Sequence, residues 1–164
     1  MSEFGIHRAG LEELDVAFAI VAEYYEVARV VARDSREEFA QLYFDQGAGV
    51  WLATGDGGCI TGCIALRRLP GFGSSGEIKR LYVQPAQRCK GIAESLLRSL
   101  EEYAAVHGYE WLYLDTTPEM AAAERFYRSR GYVSCPRYNE NPQATIFLRK
   151  SLKPTSASLG NRSA

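Results

Sequence analysis

Leu81-Tyr-Val-Gln-Pro85, followed two residues later by Arg88-Cys-Lys-Gly-Ile-Ala93, is the stretch of sequence that decides the fold. The first segment has the aromatic and β-branched residues of a strand end. The second leads into a long segment, from Ile92, whose apolar residues recur with helical spacing. The first N–H groups of such a helix have no acceptor within the helix and carry the positive end of its dipole. A strand, a loop and a helix in this order predict a site for an anion.

Four residues of this loop suit a ligand that carries two phosphates. Gly91 lets the anion approach the backbone, and Ala93 is too small to block that approach. Arg88 and Lys90 add positive charge where the phosphates would lie. A P-loop is excluded because its G-x-x-x-x-G-K-[ST] pattern is absent. On these residues alone, an ordinary basic turn that caps a helix stays an alternative.

A second glycine-rich stretch, residues 71–76, matches the letters G-x-G-x-x-G. In a dinucleotide site this pattern lies between a strand and a helix, whereas residues 77–83 read as a strand. We therefore predict a hairpin loop here. A nucleotide-binding α/β domain that uses this loop is the alternative outside the main interpretation, and tight binding of ATP or NAD without CoA would establish it.

The rest of the chain predicts alternating strands and helices around this segment. Ser35 and Glu38 form a capping-box pattern, residues 55–58 join two strands, and Gly108 ends the long helix. The predicted strands cover residues 4–7, 50–53, 59–69, 77–83, 111–115 and 145–149, with a short one near Tyr132, and the predicted helices cover 11–32, 35–44, 92–107 and 120–130.

The composition bounds the class of protein. A chain of 164 residues with 46% hydrophobic residues supports one domain, which we place at residues 1–152, and the small, polar residues 153–164 predict a disordered tail. The net charge of −1 argues against a broad nucleic-acid surface. Charges at Glu23, Glu26 and Arg29 interrupt the most apolar N-terminal run, so we expect no membrane span and no export signal.

Four cysteines without a Cys-x-x-Cys pair, in a chain large enough to build its own core, predict reduced thiols and a cytoplasmic protein. The two histidines, His7 and His107, lack ligand spacing. We expect no metal.

Three motifs in order resemble those of the GNAT N-acetyltransferase superfamily. Arg88-x-x-Gly91-x-Ala93 is similar to its pyrophosphate signature Gln/Arg-x-x-Gly-x-Gly/Ala, and Leu81 to Pro85 looks like the end of its fourth strand. Ala123-Glu-Arg-Phe-Tyr127 with Gly131-Tyr132 is similar to its Ala-x-x-Phe-Tyr-x-x-x-Gly-Phe/Tyr motif. The resemblance is good over residues 77–132 and follows the element order over 4–152. Uncharacterised bacterial members of the small-molecule type look most similar.

The resemblance implies an α/β (α+β) fold, with a mixed, mostly antiparallel sheet of six to seven strands, about four helices and a splayed acetyl-CoA cleft. Acetyl-CoA is the implied co-substrate. The chain departs from many members at Met120, where an Asn contact to the pantetheine arm is lost. The implied cofactor-binding residues are Leu81, Tyr82 and Val83 for the pantetheine arm and Arg88, Cys89, Lys90, Gly91, Ile92 and Ala93 for the pyrophosphate.

The resemblance also implies the catalytic residues. Glu77, six residues before Val83, is the candidate base for the amine, and its other interpretation is a solvent-facing strand residue. Tyr127 matches the family's general acid, and its other interpretation is a packing residue of its helix. The backbone N–H of Val83 is the implied donor to the oxyanion.

We therefore expect an N-acetyltransferase that moves an acetyl group from acetyl-CoA to a primary amine of a small molecule or peptide by direct attack. A non-catalytic acyl-CoA sensor is the alternative within the family. The acceptor, the acyl-chain length and a homodimer are left open.

Overall fold

The segment around Arg88 adopts the predicted order of strand, loop and helix. The structure is a computed structural model that describes residues 3–153. Its strands are β1 (Gly5–Arg8), β2 (Gly49–Thr54), β3 (Ile60–Arg68), β4 (Ser75–Val83), β5 (Trp111–Thr116), β6 (Val133–Ser134) and β7 (Ile146–Ser151). Its α-helices are α1 (Leu14–Val27), α2 (Arg36–Tyr43), α3 (Ile92–Val106) and α4 (Ala121–Ser129).

The seven strands form one sheet in the order β1-β2-β3-β4-β5-β7-β6. Only the β4–β5 pair is parallel, and the other neighbours are antiparallel. The predicted mixed, mostly antiparallel sheet is therefore confirmed. β4 and β5 pair only from Ser75 to Glu77 and then separate, which opens the sheet along the rest of β4.

Two apolar cores lie on opposite faces of the sheet, because alternate residues of a strand point to opposite sides. Ile64 and Leu66 of β3 pack in the core that includes α3 and Tyr127 of α4. Cys63 and Ala65 pack in the core that includes α1 and α2. The cleft described below lies between these two helical layers.

The first helix is shorter than the predicted 11–32. A 3₁₀ turn at Leu11–Glu13 precedes α1, and Arg29 then takes a left-handed conformation with φ 53°. The N–H of Val30 donates to the carbonyl of Tyr25 at 3.0 Å, which closes the helix as a Schellman-type cap. Residues 28–34 consequently form a loop rather than helix.

A bulge interrupts β4 at Arg80, and the sequence did not predict it. Cys63 pairs with Tyr82 and Ala65 with Lys79, so two residues of β4 oppose a single residue of β3. Arg80 adopts φ 61°, which is uncommon for a residue with a side chain. The bulge bends β4 at the point where it leaves β5.

The glycine-rich residues 71–76 connect β3 to β4 and continue into β4, so the predicted hairpin loop is confirmed. Within residues 3–153 no helix has the length and apolar content needed to cross a membrane. Apart from Lys153, the predicted disordered tail lies outside the described residues, and the single domain over 1–152 stays a prediction.

Candidate active site

A cleft of about 1140 Å³ lies where β4 and β5 separate, between the end of α1, the start of α3 and α4. We call it the large cleft. Eight of the nine predicted cofactor residues line it, namely Leu81, Tyr82, Val83, Arg88, Cys89, Gly91, Ile92 and Ala93. Lys90 is not part of its lining. The ammonium of Lys90 donates to Oε1 of Gln87 at 2.9 Å on the exposed side of the loop.

The N-terminus of α3 faces this cleft without a side-chain cap among the described residues. Gly91 begins the helix with φ 83°, and a Cβ at this position would meet nothing within 4 Å. The glycine is therefore needed for its backbone conformation rather than for space. Free N–H groups at a helix start fit an anion such as a pyrophosphate.

The loop before α3 carries a second unusual backbone conformation and an unforeseen ion pair. Cys89 has φ 64°, so two residues of this short loop are left-handed. Glu94 in the first turn of α3 pairs at 3.0 Å with Arg130, the residue directly after α4. Arg130 also lines the large cleft, and it was missed because its motif position carries no signal for a ligand contact.

Arg88 holds the end of β4 against this loop. Its Nε donates to the carbonyl oxygen of Val83 at 3.0 Å. The N–H of Gln84 donates to the carbonyl of Thr61 at 2.8 Å, and Tyr82 pairs with Cys63. Because hydrogen-bonded pairs alternate along an antiparallel ladder, the N–H and C=O of Val83 face away from β3, toward the opening of the sheet.

A smaller pocket of about 100 Å³ lies deeper in this opening, and we call it the small pocket. It shares wall residues with the large cleft, among them Leu81, Met120 and Ala123. Its polar lining is Tyr24, Lys79, Arg80, Asp115, Thr116, Thr117, Tyr127, Asn141 and Gln143.

Tyr127 lines the small pocket and is 5% exposed. Its ring packs edge-on against Phe126 and Tyr132, as the packing interpretation expects, and its role as general acid stays a prediction. Its hydroxyl forms no hydrogen bond with another residue in the described range. Burial raises the pKa of Tyr127, so the hydroxyl keeps its proton throughout the physiological pH range.

Glu77 is fully buried, so its interpretation as a solvent-facing residue is wrong. Oε1 accepts from Arg67 at 2.9 Å (Nε) and pairs with its Nη2 at 2.8 Å. Oε2 accepts from Tyr138 at 2.7 Å and Asn139 at 3.2 Å, and lies 3.4 Å from Nζ of Lys79. Glu77 lines neither cavity, and its role as a base stays a prediction.

Asp115 is the acidic residue that the sequence interpretation missed. It is the penultimate residue of β5 and lines the small pocket. Its Oδ2 accepts from Asn139 at 2.5 Å and from Asn141 at 3.4 Å, and lies 3.5 Å from Nζ of Lys79. The sequence did contain a signal for this residue, because a charged side chain near the end of an otherwise apolar strand often marks a functional site.

Within residues 3–153 no group of three or more His, Cys, Asp or Glu side chains is arranged to hold a metal ion. All four cysteines are free.

Fold and cleft together define an α/β protein with an extended ligand cleft between two diverging strands. Residues 15–132 match the model of the Acetyltransferase (GNAT) family, and the chain belongs to this family. The resemblance drawn from the three motifs is thereby confirmed.

Curated relatives come from bacteria and eukaryotes. An uncharacterized N-acetyltransferase of Schizosaccharomyces pombe is 33% identical over 60% of this chain and 60% of its own length. The N-acetylaspartate synthetase of Homo sapiens is 31% identical over 79% of this chain and 45% of its own length. The IAA acetyltransferase of Azospirillum brasilense is 33% identical over 58% of this chain and 63% of its own length. The chain therefore spans roughly half to two thirds of these relatives.

Solved structures share the fold. A GNAT-family acetyltransferase from Staphylococcus aureus superposes with a TM-score of 0.79 at 19% identity, over 92% of this chain and all of that chain. The N-acetylglutamate synthase from Neisseria gonorrhoeae, complexed with coenzyme A and N-acetyl-glutamate, gives a TM-score of 0.75 at 20% identity, over 94% of this chain and 36% of that chain.

Proposed function

We propose that this protein transfers an acetyl group from acetyl-CoA to a primary amine of a small molecule or peptide, in a ternary complex and in the cytoplasm. The observation that carries the proposal is the uncapped N-terminus of α3 at a cleft lined by eight predicted cofactor residues. Relatives named as N-acetyltransferases support it. The free cysteines agree with a reducing compartment.

The residues of the large cleft fit acetyl-CoA in the proposed complex. The N–H groups at the start of α3 would bind the pyrophosphate, and Arg88 would add charge beside it. The free edge of β4 at Leu81 and Val83 would hydrogen-bond the pantetheine arm, since β5 does not pair with this part of β4. Lys90 would contribute long-range charge rather than a contact.

Three groups would then perform the transfer. An alkyl ammonium loses its proton at a cost of roughly 4 kcal/mol at pH 7, so a carboxylate base helps, and Glu77 is the candidate, acting through the residues that it contacts. The N–H of Val83 would stabilise the oxyanion that forms on attack. The neutral hydroxyl of Tyr127 would hydrogen-bond and protonate the leaving thiolate.

The small pocket limits the acceptor. Its volume of about 100 Å³ admits the amine-bearing end of a small molecule. Relatives named N-acetylaspartate synthetase support an acceptor of this size. We leave a homodimer as a proposal to be tested by the mass of the protein in solution.

Calorimetric titration of acetyl-CoA into the wild type, Ala93→Glu and Ala93→Gln tests the cofactor site. A glutamate in the first turn of α3 favours the helix through its dipole, so the fold should persist while the carboxylate repels the phosphates. We expect the Ala93→Glu variant to bind at least about tenfold more weakly, equivalent to about 1.4 kcal/mol, and the neutral, equally large glutamine to bind more tightly than the glutamate.

Equal binding by Ala93→Glu and the wild type, or no binding by the wild type, would contradict the cofactor site. Tight binding without thiol release on any amine of a broad panel would instead establish the sensor function.

A further inference from the structure

We infer that Asp115 binds the acceptor amine and takes its proton, and that Glu77 acts behind it as a positioning residue. The inference rests on the proposed acetyl transfer and deepens it. It assigns direct contact to the carboxylate that lines the small pocket, the same cavity that Tyr127 lines.

Asp115 has one carboxylate oxygen free for a ligand. The contacts from Asn139, Asn141 and Lys79 all go to Oδ2. Oδ1 forms no hydrogen bond within the described part of the chain. A carboxylate that is held by one oxygen and open at the other is oriented to accept a hydrogen bond from an amine.

Glu77 has no such opening. Its two oxygens contact two cations, Arg67 and Lys79, and also accept hydrogen bonds from Tyr138 and Asn139. An amine could reach the buried carboxylate only by displacing one of these partners, which would leave a buried donor or charge unpaired. Glu77 is therefore better suited to a structural role than to a role as a base in contact with the substrate.

Two side chains couple the carboxylates. Nζ of Lys79 lies 3.4 Å from Glu77 and 3.5 Å from Asp115, and Nδ2 of Asn139 lies 3.2 Å and 2.5 Å from them. Because both bridges meet Asp115 at Oδ2, they restrict its rotamer and leave Oδ1 without a hydrogen-bond partner among the described residues. Glu77 positions Asp115 by holding these two bridging side chains in place.

The surroundings of Asp115 include titratable groups from every neighbouring element. β4 supplies Glu77, Lys79 and Arg80, the loop between β6 and β7 supplies Tyr138, and α1 supplies Tyr24. Burial raises the pKa of Tyr24, and the nearby charge of Asp115 raises it further. Tyr24 in turn contributes to the raised pKa of Tyr127, so Tyr24 lies close to both groups.

Asp115, Tyr127 and water account for every proton that moves during the acetyl transfer. The alkyl ammonium first gives one proton to Oδ1 of Asp115, which passes it to water. A second proton moves from the nitrogen to Oδ1 as the nitrogen forms a bond to the thioester carbonyl carbon. The C–S bond then breaks, its electron pair stays on sulfur, and the sulfur takes the proton of Tyr127. Asp115 afterwards gives its proton to water, and Tyr127 recovers one from water.

Asp115→Asn in the full chain tests the contact, because the amide keeps the shape of the carboxylate but accepts no proton. We expect kcat/KM for an alkylamine at pH 7 to fall at least about 100-fold, while the Kd of acetyl-CoA changes by less than about threefold. Asp56→Asn, in the exposed turn between β2 and β3, is the matched control with unchanged kinetics.

A second substrate separates proton transfer from a merely structural role. An amine whose conjugate acid has a pKa well below 7 reaches the site unprotonated and has less need of a base. The defect of Asp115→Asn should therefore shrink to less than about tenfold with this amine. An equal defect with both amines would mean that Asp115 only shapes the pocket, and would overturn the inference.

Asn139→Ala tests the positioning role without removing a buried charge. We expect a fall in kcat that is smaller with the amine of low pKa, together with unchanged acetyl-CoA binding. Full activity in Asp115→Asn together with a fall of at least about 100-fold in Glu77→Gln would make Glu77 the direct base. That result would refute the role of Asp115 and leave the proposed acetyl transfer intact. Wild-type protein that binds acetyl-CoA but acetylates no amine would refute the proposed function and the inference with it.

Discussion

The ring of Tyr127 packs in the core, and burial keeps the proton on its hydroxyl. One substitution separates the contribution of the ring from that of the hydroxyl. Phenylalanine retains the ring contacts with Phe126 and Tyr132 and removes only the hydroxyl. We expect Tyr127→Phe to lower kcat by about 100-fold because the thiolate loses its proton donor. The Kd of acetyl-CoA and the circular dichroism spectrum should not change. Thiol release and calorimetry on the same preparation measure both.

An unchanged kcat in Tyr127→Phe would leave Tyr127 as a packing residue, and water would then be the donor to the thiolate. The control for this result is Tyr43→Phe. Tyr43 is the last residue of α2, packs in the core on that face of the sheet and lines neither the large cleft nor the small pocket. Its replacement should leave kcat as in the wild type.

The residues predicted from sequence are those whose role is local. Gly91 and Arg88 are recognisable because a strand, a loop and a helix start lie within a dozen residues. The surroundings of Glu77 were not predictable in this way. Its partners Tyr138 and Asn139 are 61 and 62 positions away, and only the folded sheet brings them to it.

At the scale of elements, the pairing of β3 with the end of β4 depends on Gly62. A Cβ at this position would lie 2.7 Å from the backbone oxygen of Tyr82 and 3.4 Å from Cα of Val83. Gly62→Ala should therefore push the two strands apart and lower the free energy of unfolding by roughly 1–3 kcal/mol. Acetyl-CoA should also bind more weakly, since Val83 moves.

Denaturant unfolding and calorimetry test this prediction against Gly5→Ala. A Cβ at Gly5 meets nothing within 4 Å, and β1 lies at the edge of the sheet. The control should keep wild-type stability and affinity within error. A Gly62→Ala variant as stable as the control would show that the strands adjust freely and that the end of β4 is not fixed by its neighbour.

The order of elements followed from the sequence, while two of their irregularities did not. Capping residues were decisive where they were present, and both bonds of the Ser35–Glu38 capping box form at the start of α2. The early end of α1 and the bulge at Arg80 have no comparable signature. Arg29 and Arg80 both take left-handed conformations that their residue type disfavours, so tertiary contacts rather than local preference set these positions.

At the scale of the whole molecule, buried tyrosines make the free energy of unfolding fall at alkaline pH. Six are fully buried with pKa values raised chiefly by burial, and that of Tyr82 rises to about 12. The six are Tyr25, Tyr43, Tyr82, Tyr109, Tyr127 and Tyr132. A raised native pKa means that the unfolded chain loses its protons first, from pH 10 upward, so this stabilisation is complete below pH 10 and is lost as the pH rises toward the native values.

The upper limit of this loss is comparable with the free energy of unfolding. A tyrosine that keeps its proton in the folded protein favours the unfolded chain by at most about 1.4 kcal/mol at pH 11, so six together give at most about 8 kcal/mol, which is comparable with the whole stability of a typical domain. We therefore expect one cooperative transition near pH 11, in which helical circular dichroism falls as tyrosinate absorbance rises. Tyr43→Phe, which removes one of the six groups and keeps the ring, should move the midpoint upward. Gradual tyrosine ionisation near pH 10 with the circular dichroism still native would instead mean that these side chains reach solvent without unfolding.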